Sequence, residues 1–107
     1  MSYKIIQPTE FMDDSSANQI RYEISKAMAN GVKTILVDLQ EVAFINSSAI
    51  GALVATHKVV YEKGGTLSLC SLNEQVKIFF ALTKMDHIFD IFIDRHEFMQ
   101  KNGSATN

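Results

Sequence analysis

A chain of 107 residues that is 47% hydrophobic makes one domain with a core of its own, and net charge −2 with interspersed charges excludes the basic stripe of a nucleic-acid surface. A single cysteine, Cys70, excludes an internal disulfide and a thiolate metal cluster. No apolar run reaches the ~18 residues of a membrane span, and MSYKIIQPTE lacks a signal peptide's long apolar region, so a soluble cytoplasmic protein with no membrane partner is expected.

Tyr3 to Gln7 (YKIIQ) reads as a short strand ended by Pro8. Ser16-Ala17-Asn18-Gln19 fits a capping box with Ser16 as cap, and Asp13 and Asp14 supply negative charge before it. Ile20, Ile24, Ala27 and Met28 then recur at helical spacing until Asn30-Gly31. Thr34 to Leu39 (TILVDL) is nearly continuous in apolar residues, as a strand covered on both faces is. After a turn, a helix starts near Asn46 to Ser48, with Ile50, Leu53, Val54, His57, Val60 and Tyr61 as its apolar stripe and Gly64-Gly65 as its stop.

Thr66 to Cys70 (TLSLC) is the next strand, in which an inert buried thiol is expected. Ser71-Leu72-Asn73-Glu74 is a second capping box, before a helix with Val76, Phe79, Phe80 and Thr83 on one face. Ile88 to Ile93 reads as a last strand and Asp94 to Gln100 as a short helix. Alternation of this kind implies an α/β domain built on a single, mostly parallel sheet with right-handed crossovers. The domain is expected to span 1–100, with 101–107 as a flexible tail.

Catalytic and metal chemistry find little support. His57 lies on the apolar stripe, and His87 and His96 with Asp86, Asp90 and Asp94 match no metal spacing. There is no phosphate-binding glycine loop and no nucleophile elbow. The informative stretch is Phe44 to Val54 (FINSSAIGALV), where two hydroxyls and an amide stand between two apolar segments. Asn46 alone suffices as helix cap. A helix N-terminus carries unpaired N–H groups and partial positive charge, so a phosphoserine there is stabilised rather than repelled by its own helix.

VDLQEVAFINSSAIGALV resembles the signature of the STAS domain, approximately D-L-x-x-V-x-x-I/M-D-S-S-G-L-G-x-L, the fold of bacterial anti-sigma factor antagonists. FFALTKMDHIFDIF is similar to the family's F-x-L-T-G-L-D-x-x-F-x-I-F. The resemblance runs from about Pro8 to Asp94. It implies a STAS fold whose N-terminal two-strand hairpin is here shortened to one clear strand with a stub at Glu10 to Met12. It also implies a non-enzymatic phospho-switch. The unphosphorylated protein would bind an anti-sigma factor that is a serine kinase of the histidine-kinase-like ATPase fold, and phosphorylation would release it. A metal-dependent serine phosphatase would reset it, and ATP would be used only by the kinase, with no cofactor of the chain's own.

The phosphorylated residue would be Ser47, with Ser48 the second choice and Asn46 the cap. The docking face would comprise Glu10, Phe11, Met12, Asn46, Ser48, Ala49, Ile50, Ala52 and Thr56. Asn46 stands where the family usually has Asp, Ala49 where Gly is usual, and Lys84 replaces a glycine after the third helix. The alternative is a constitutive scaffold or transport-associated STAS module without phosphorylation. A nucleotide binder and a hydrolase built on Ser47 rank lower, lacking a glycine-rich loop and a base. The shortened hairpin leaves a sheet edge on which a homodimer could pair.

Overall fold

A computed structural model describes residues 2–102. The alternation read from the sequence is present. Strand β1 (Tyr3–Ile6) and strand β2 (Glu10–Met12) precede helix α1 (Asp14–Ala29), and strands β3 (Thr34–Asp38) and β4 (Val42–Ile45) precede helix α2 (Ser47–Glu62). Strand β5 (Thr66–Cys70), helix α3 (Glu74–Leu82), a 3₁₀ turn at Met85–His87, strand β6 (Asp90–Phe92) and helix α4 (Arg95–Lys101) complete the order. Every pairing is parallel, as crossover helices require.

The strands form two ladders rather than one sheet. Four lie in the order β1-β3-β5-β6, and β2 pairs with β4 alone. The expected shortened hairpin is therefore corrected: β1 and β2 do not pair with each other, because β2 runs parallel to β4, a strand whose four residues the sequence reading took for a turn. The last strand is also shorter than Ile88 to Ile93, since Ile88 closes the 3₁₀ turn and the chain bends at Ile93 into α4.

Side chains alternate across β3 and sort the core into two parts. Ile35 and Val37 face a large cluster with Ile20 and Ile24 of α1, Leu53 and Val60 of α2, and Phe80 of α3. Leu36 faces the other way, against Cys70 and Phe98 of α4. Fully burying a side chain of this size contributes about 1.5–3 kcal/mol, so the three-helix side carries most of the apolar stabilisation. On the α4 side, the wholly buried Asp38 accepts from Arg95 Nε at 2.5 Å and from the Gln40 N–H at 3.0 Å. Arg95 also donates to Gln7 at 3.2 Å, so three segments meet there. Cys70 is buried as expected, and burial pushes its thiol up to about 11.

Two caps differ from expectation. The α1 box is present with its roles exchanged: Asp13 is the cap and accepts from the Ser16 N–H at 3.1 Å, which holds the Asp13 carboxyl below its usual range. Asn73, not Ser71, caps α3, accepting from Val76 N–H at 2.8 Å. At the other end, Lys101 belongs to α4 and Asn102 caps it, and 103–107 of the expected tail lie outside the described residues.

Lys84 sits at φ +62°, in the left-handed region where a side chain is strained. Glycine adopts that conformation freely. Lys84→Gly is therefore expected to stabilise the domain by about 1 kcal/mol, read as a higher urea midpoint with unchanged slope.

Candidate functional site

The site begins with a chain reversal. β4 ends at Ile45, buried, and α2 starts two residues later. Asn46 has extended backbone and its side-chain oxygen accepts from the Ala49 N–H at 2.8 Å, so it is the cap that the sequence indicated. Its own N–H donates to the Met12 carbonyl at 3.1 Å, which fixes the end of β2 against the start of α2.

Ser47 and Ser48 are thereby placed at the first two helical positions, and both are exposed. Among the described residues neither hydroxyl is engaged in a hydrogen bond. No acidic residue lies in the first turn of α2, so the partial positive charge of this helix end faces solvent without an internal counter-charge.

The nine residues expected to form the docking face do not stay together. Glu10, Phe11 and Ser48 are exposed, and Asn46 and Ala52 are half-buried. Met12, Ala49, Ile50 and Thr56 are corrected: each is buried, at 0, 0, 3 and 4% exposure. Met12, Ala49 and Ile50 belong to the main core, and the Thr56 hydroxyl is spent on the Ala52 carbonyl at 2.8 Å. On α2, the exposed residues that follow the serines on their side are Gly51 and Ala55, small residues that let another surface approach closely, and then Lys58 and Val59. Tyr61, expected on the apolar stripe, is 72% exposed.

The sequence reading missed an aromatic file beside the serines. Phe11 stacks on Phe44 at 5.8 Å, and Phe44 stacks on Phe79 of α3 at 5.7 Å. Phe11 is 48% exposed. Its presentation follows from a register shift between Glu10 and Phe11, with Glu10 at φ +60° and its N–H bonded to the Glu41 carbonyl at 2.8 Å. Asn73 adds a brace, donating to the Val42 and Ala43 carbonyls at 3.1 and 3.2 Å. The sequence signal was available: Phe11 and Phe44 each precede a residue that reaches the core, Met12 and Ile45.

Among the described residues no group of histidine, cysteine and carboxylate side chains could hold a metal ion, and no helix is long and apolar enough to cross a membrane. His57 packs edge-on against Phe89 at 5.2 Å.

Comparison with known proteins agrees with this geometry. The chain is 30% identical over 80 residues to the anti-sigma-B factor antagonist of Bacillus subtilis (strain 168), covering 75% of this chain and 72% of that protein. The solution structure of protein TM1081, of Thermotoga maritima, superposes with a TM-score of 0.79 at 27% identity, covering 90% of this chain and 78% of that one. The unphosphorylated anti-sigma factor antagonist SpoIIAA shares the fold, with a TM-score of 0.76 at 19% identity over 96% of this chain and 91% of that one. The STAS domain model matches residues 2–98. With that match spanning most of the chain, on an α/β framework of parallel strands with the serine pair at the head of α2, the protein belongs to the STAS domain family.

Proposed function

We propose that this chain is an anti-sigma factor antagonist controlled by phosphorylation of Ser47. Unphosphorylated, it binds a serine-kinase anti-sigma factor of the histidine-kinase-like ATPase fold in the cytoplasm. The kinase transfers a phosphoryl group from ATP to the Ser47 oxygen, and a metal-dependent serine phosphatase removes it. The chain itself performs no catalysis and carries no cofactor.

The observation that carries this reading is the exposed Ser47 hydroxyl at the first position of a helix whose opening turn has no acid. Phosphorylation there adds roughly −1.5 to −2 charge. The helix end stabilises that charge by about 0.3–1 kcal/mol, so the domain keeps its fold while its surface changes. The partner loses instead, because a surface shaped for two hydroxyls, Gly51 and Ala55 must then accept a bulky dianion. The exposed Phe11, stacked on the half-buried Phe44, supports the same face, since aromatic residues are enriched at interface cores. The name of the Bacillus subtilis relative, an anti-sigma-B factor antagonist, supports the partner class.

The test is direct. Incubation with ATP and serine-kinase anti-sigma factors from the same cell, followed by peptide mapping, is expected to find one phosphoryl group, on Ser47. Modification elsewhere, or none with any of the kinases, rejects the reading. Asn46 in place of the family's aspartate favours one competitor, a constitutive STAS scaffold, for which the same face binds a partner irrespective of charge at Ser47.

A further inference from the structure

A second surface lies on residues that take no part in the Ser47 face. Between α3 and β6 run two adjoining open grooves of 450 and 340 Å³, which share Leu72, Lys77 and Ile91. Phe80 and Phe89 line the larger one, and Ile93, 77% exposed, lines the other. β6 is the terminal strand of the four-stranded sheet, and among the described residues its outer side pairs with nothing. The Phe92 carbonyl accepts from the Ser71 N–H at 3.3 Å, so Phe92 faces β5. Residues of a parallel ladder alternate, and Ile91 therefore turns its N–H and C=O to the open side. The next outward N–H, of Ile93, is already held by Glu97 at 2.6 Å.

An open strand edge beside an apolar groove is the arrangement in which an extended segment adds as a further strand, held by main-chain bonds and alternate side chains. The charges select the occupant. Lys77, which lines both grooves, is paired with Glu74 of α3 at 3.9 Å, while Asp86 lines the larger groove, Asp90 stands exposed at the start of β6 and Asp94 lies exposed just beyond its end. A second copy's β6, paired about Ile91, would set Asp90 opposite Phe92 and bring the two copies' Asp90 and Asp94 onto neighbouring diagonals, where like charges repel. Basic residues flanking an apolar segment would be attracted.

We propose that the β6 edge and the α3 groove receive an extended segment of another protein, with alternating apolar residues and a lysine or arginine at each end. This surface acts whether or not Ser47 is a switch.

The test uses the full chain and a pool of synthetic hexapeptides with lysine at both ends and Val, Ile or Leu at alternate positions. A matching pool carries glutamate at both ends. The lysine pool is expected to slow hydrogen exchange of the Ile91 amide and to shift amide resonances in 77–81 and 86–93, and the glutamate pool to bind at least about tenfold more weakly. The double variant Asp86→Lys, Asp90→Lys, at exposed positions, is expected to reverse that preference. Unchanged exchange at Ile91 with millimolar lysine pool overturns the proposal. So does equal binding of the two pools, shifts confined to the surface around Ser47 and Phe11, or a concentration-dependent dimer whose β6 amides become protected.

Discussion

Ser47→Asp is expected, under the proposed switch, to weaken capture of an anti-sigma factor by about 30- to 1,000-fold, while Ser47→Ala stays within about threefold of the natural chain. The range corresponds to about 2–4 kcal/mol, the cost of leaving a charge unpaired at a desolvated contact. The same substitution acts oppositely on the fold. An aspartate at the first position of α2 meets an end with no other acid, and should stabilise the helix by about 0.3–1 kcal/mol. Binding lost alongside a raised melting temperature therefore marks a switch, whereas binding lost with a lowered one would mark damage. Equal capture by the Asp and Ala variants sinks the switch and leaves the scaffold reading. Ser48→Asp supplies the internal comparison, because it places the same charge one residue along, 100° round the helix. A response as large as that at Ser47 would mean that charge anywhere on this helix end suffices.

The site was legible in the sequence to the extent that it rests on local chemistry. A cap at Asn46 and hydroxyls at the next two positions need only the order of residues, and the structure has them so. What the order could not show is how the cap is held. The bond from Asn46 N–H to the Met12 carbonyl depends on a pairing between β2 and β4, three and four residues long. Strands this short have no readable period, so Glu10–Met12 looked like a stub and Val42–Ile45 like a turn. Both long helices were readable for the opposite reason, since each repeats its apolar spacing over several turns, and β3 because its residues are almost all apolar.

The misplaced docking residues have a different cause. Ile50, Leu53 and Val60 define the inward side of α2, and helical geometry puts Ala49 and Thr56 on that side with them. Proximity in sequence to Ser47 was taken for proximity on the surface, whereas the next exposed residues of α2 after the serines are Gly51 and Ala55. The exchanged capping roles of Asp13 and Ser16 arise from a degeneracy. Each can cap and each can answer three residues away, and only the register of α1 against the core, set by Ala17, Ile20 and Ile24, chooses between them.

Phe98→Ala is expected to cost about 3–5 kcal/mol, the range for deleting a buried phenylalanine. That is a large part of the roughly 5–15 kcal/mol on which a domain of this size stands. Phe98 is fully buried, edge-on to Tyr3 at 5.7 Å and to Phe92 at 5.5 Å, and it closes the small core that includes Leu36 and Cys70. A seven-residue helix has little stability of its own, so α4 is held in place by what it touches: this ring, and the pair between Arg95 and Asp38. With the ring gone, the helix is left with Met99 and the polar contacts of Arg95 to Asp38 and Gln7, and Arg95 is partly exposed, where an ion pair is weakened by solvent. Cys70 then becomes the reporter. Its thiol is raised to about 11 chiefly because it is buried. Lifting α4 from the sheet brings the thiol to water and its pKa down, so alkylation at pH 8 should accelerate in the variant well before the far-ultraviolet signal of the helices is lost in urea. If alkylation and global unfolding stay coincident, α4 belongs to the same cooperative unit as the three-helix face, and the division of the core into two parts is one of geometry only.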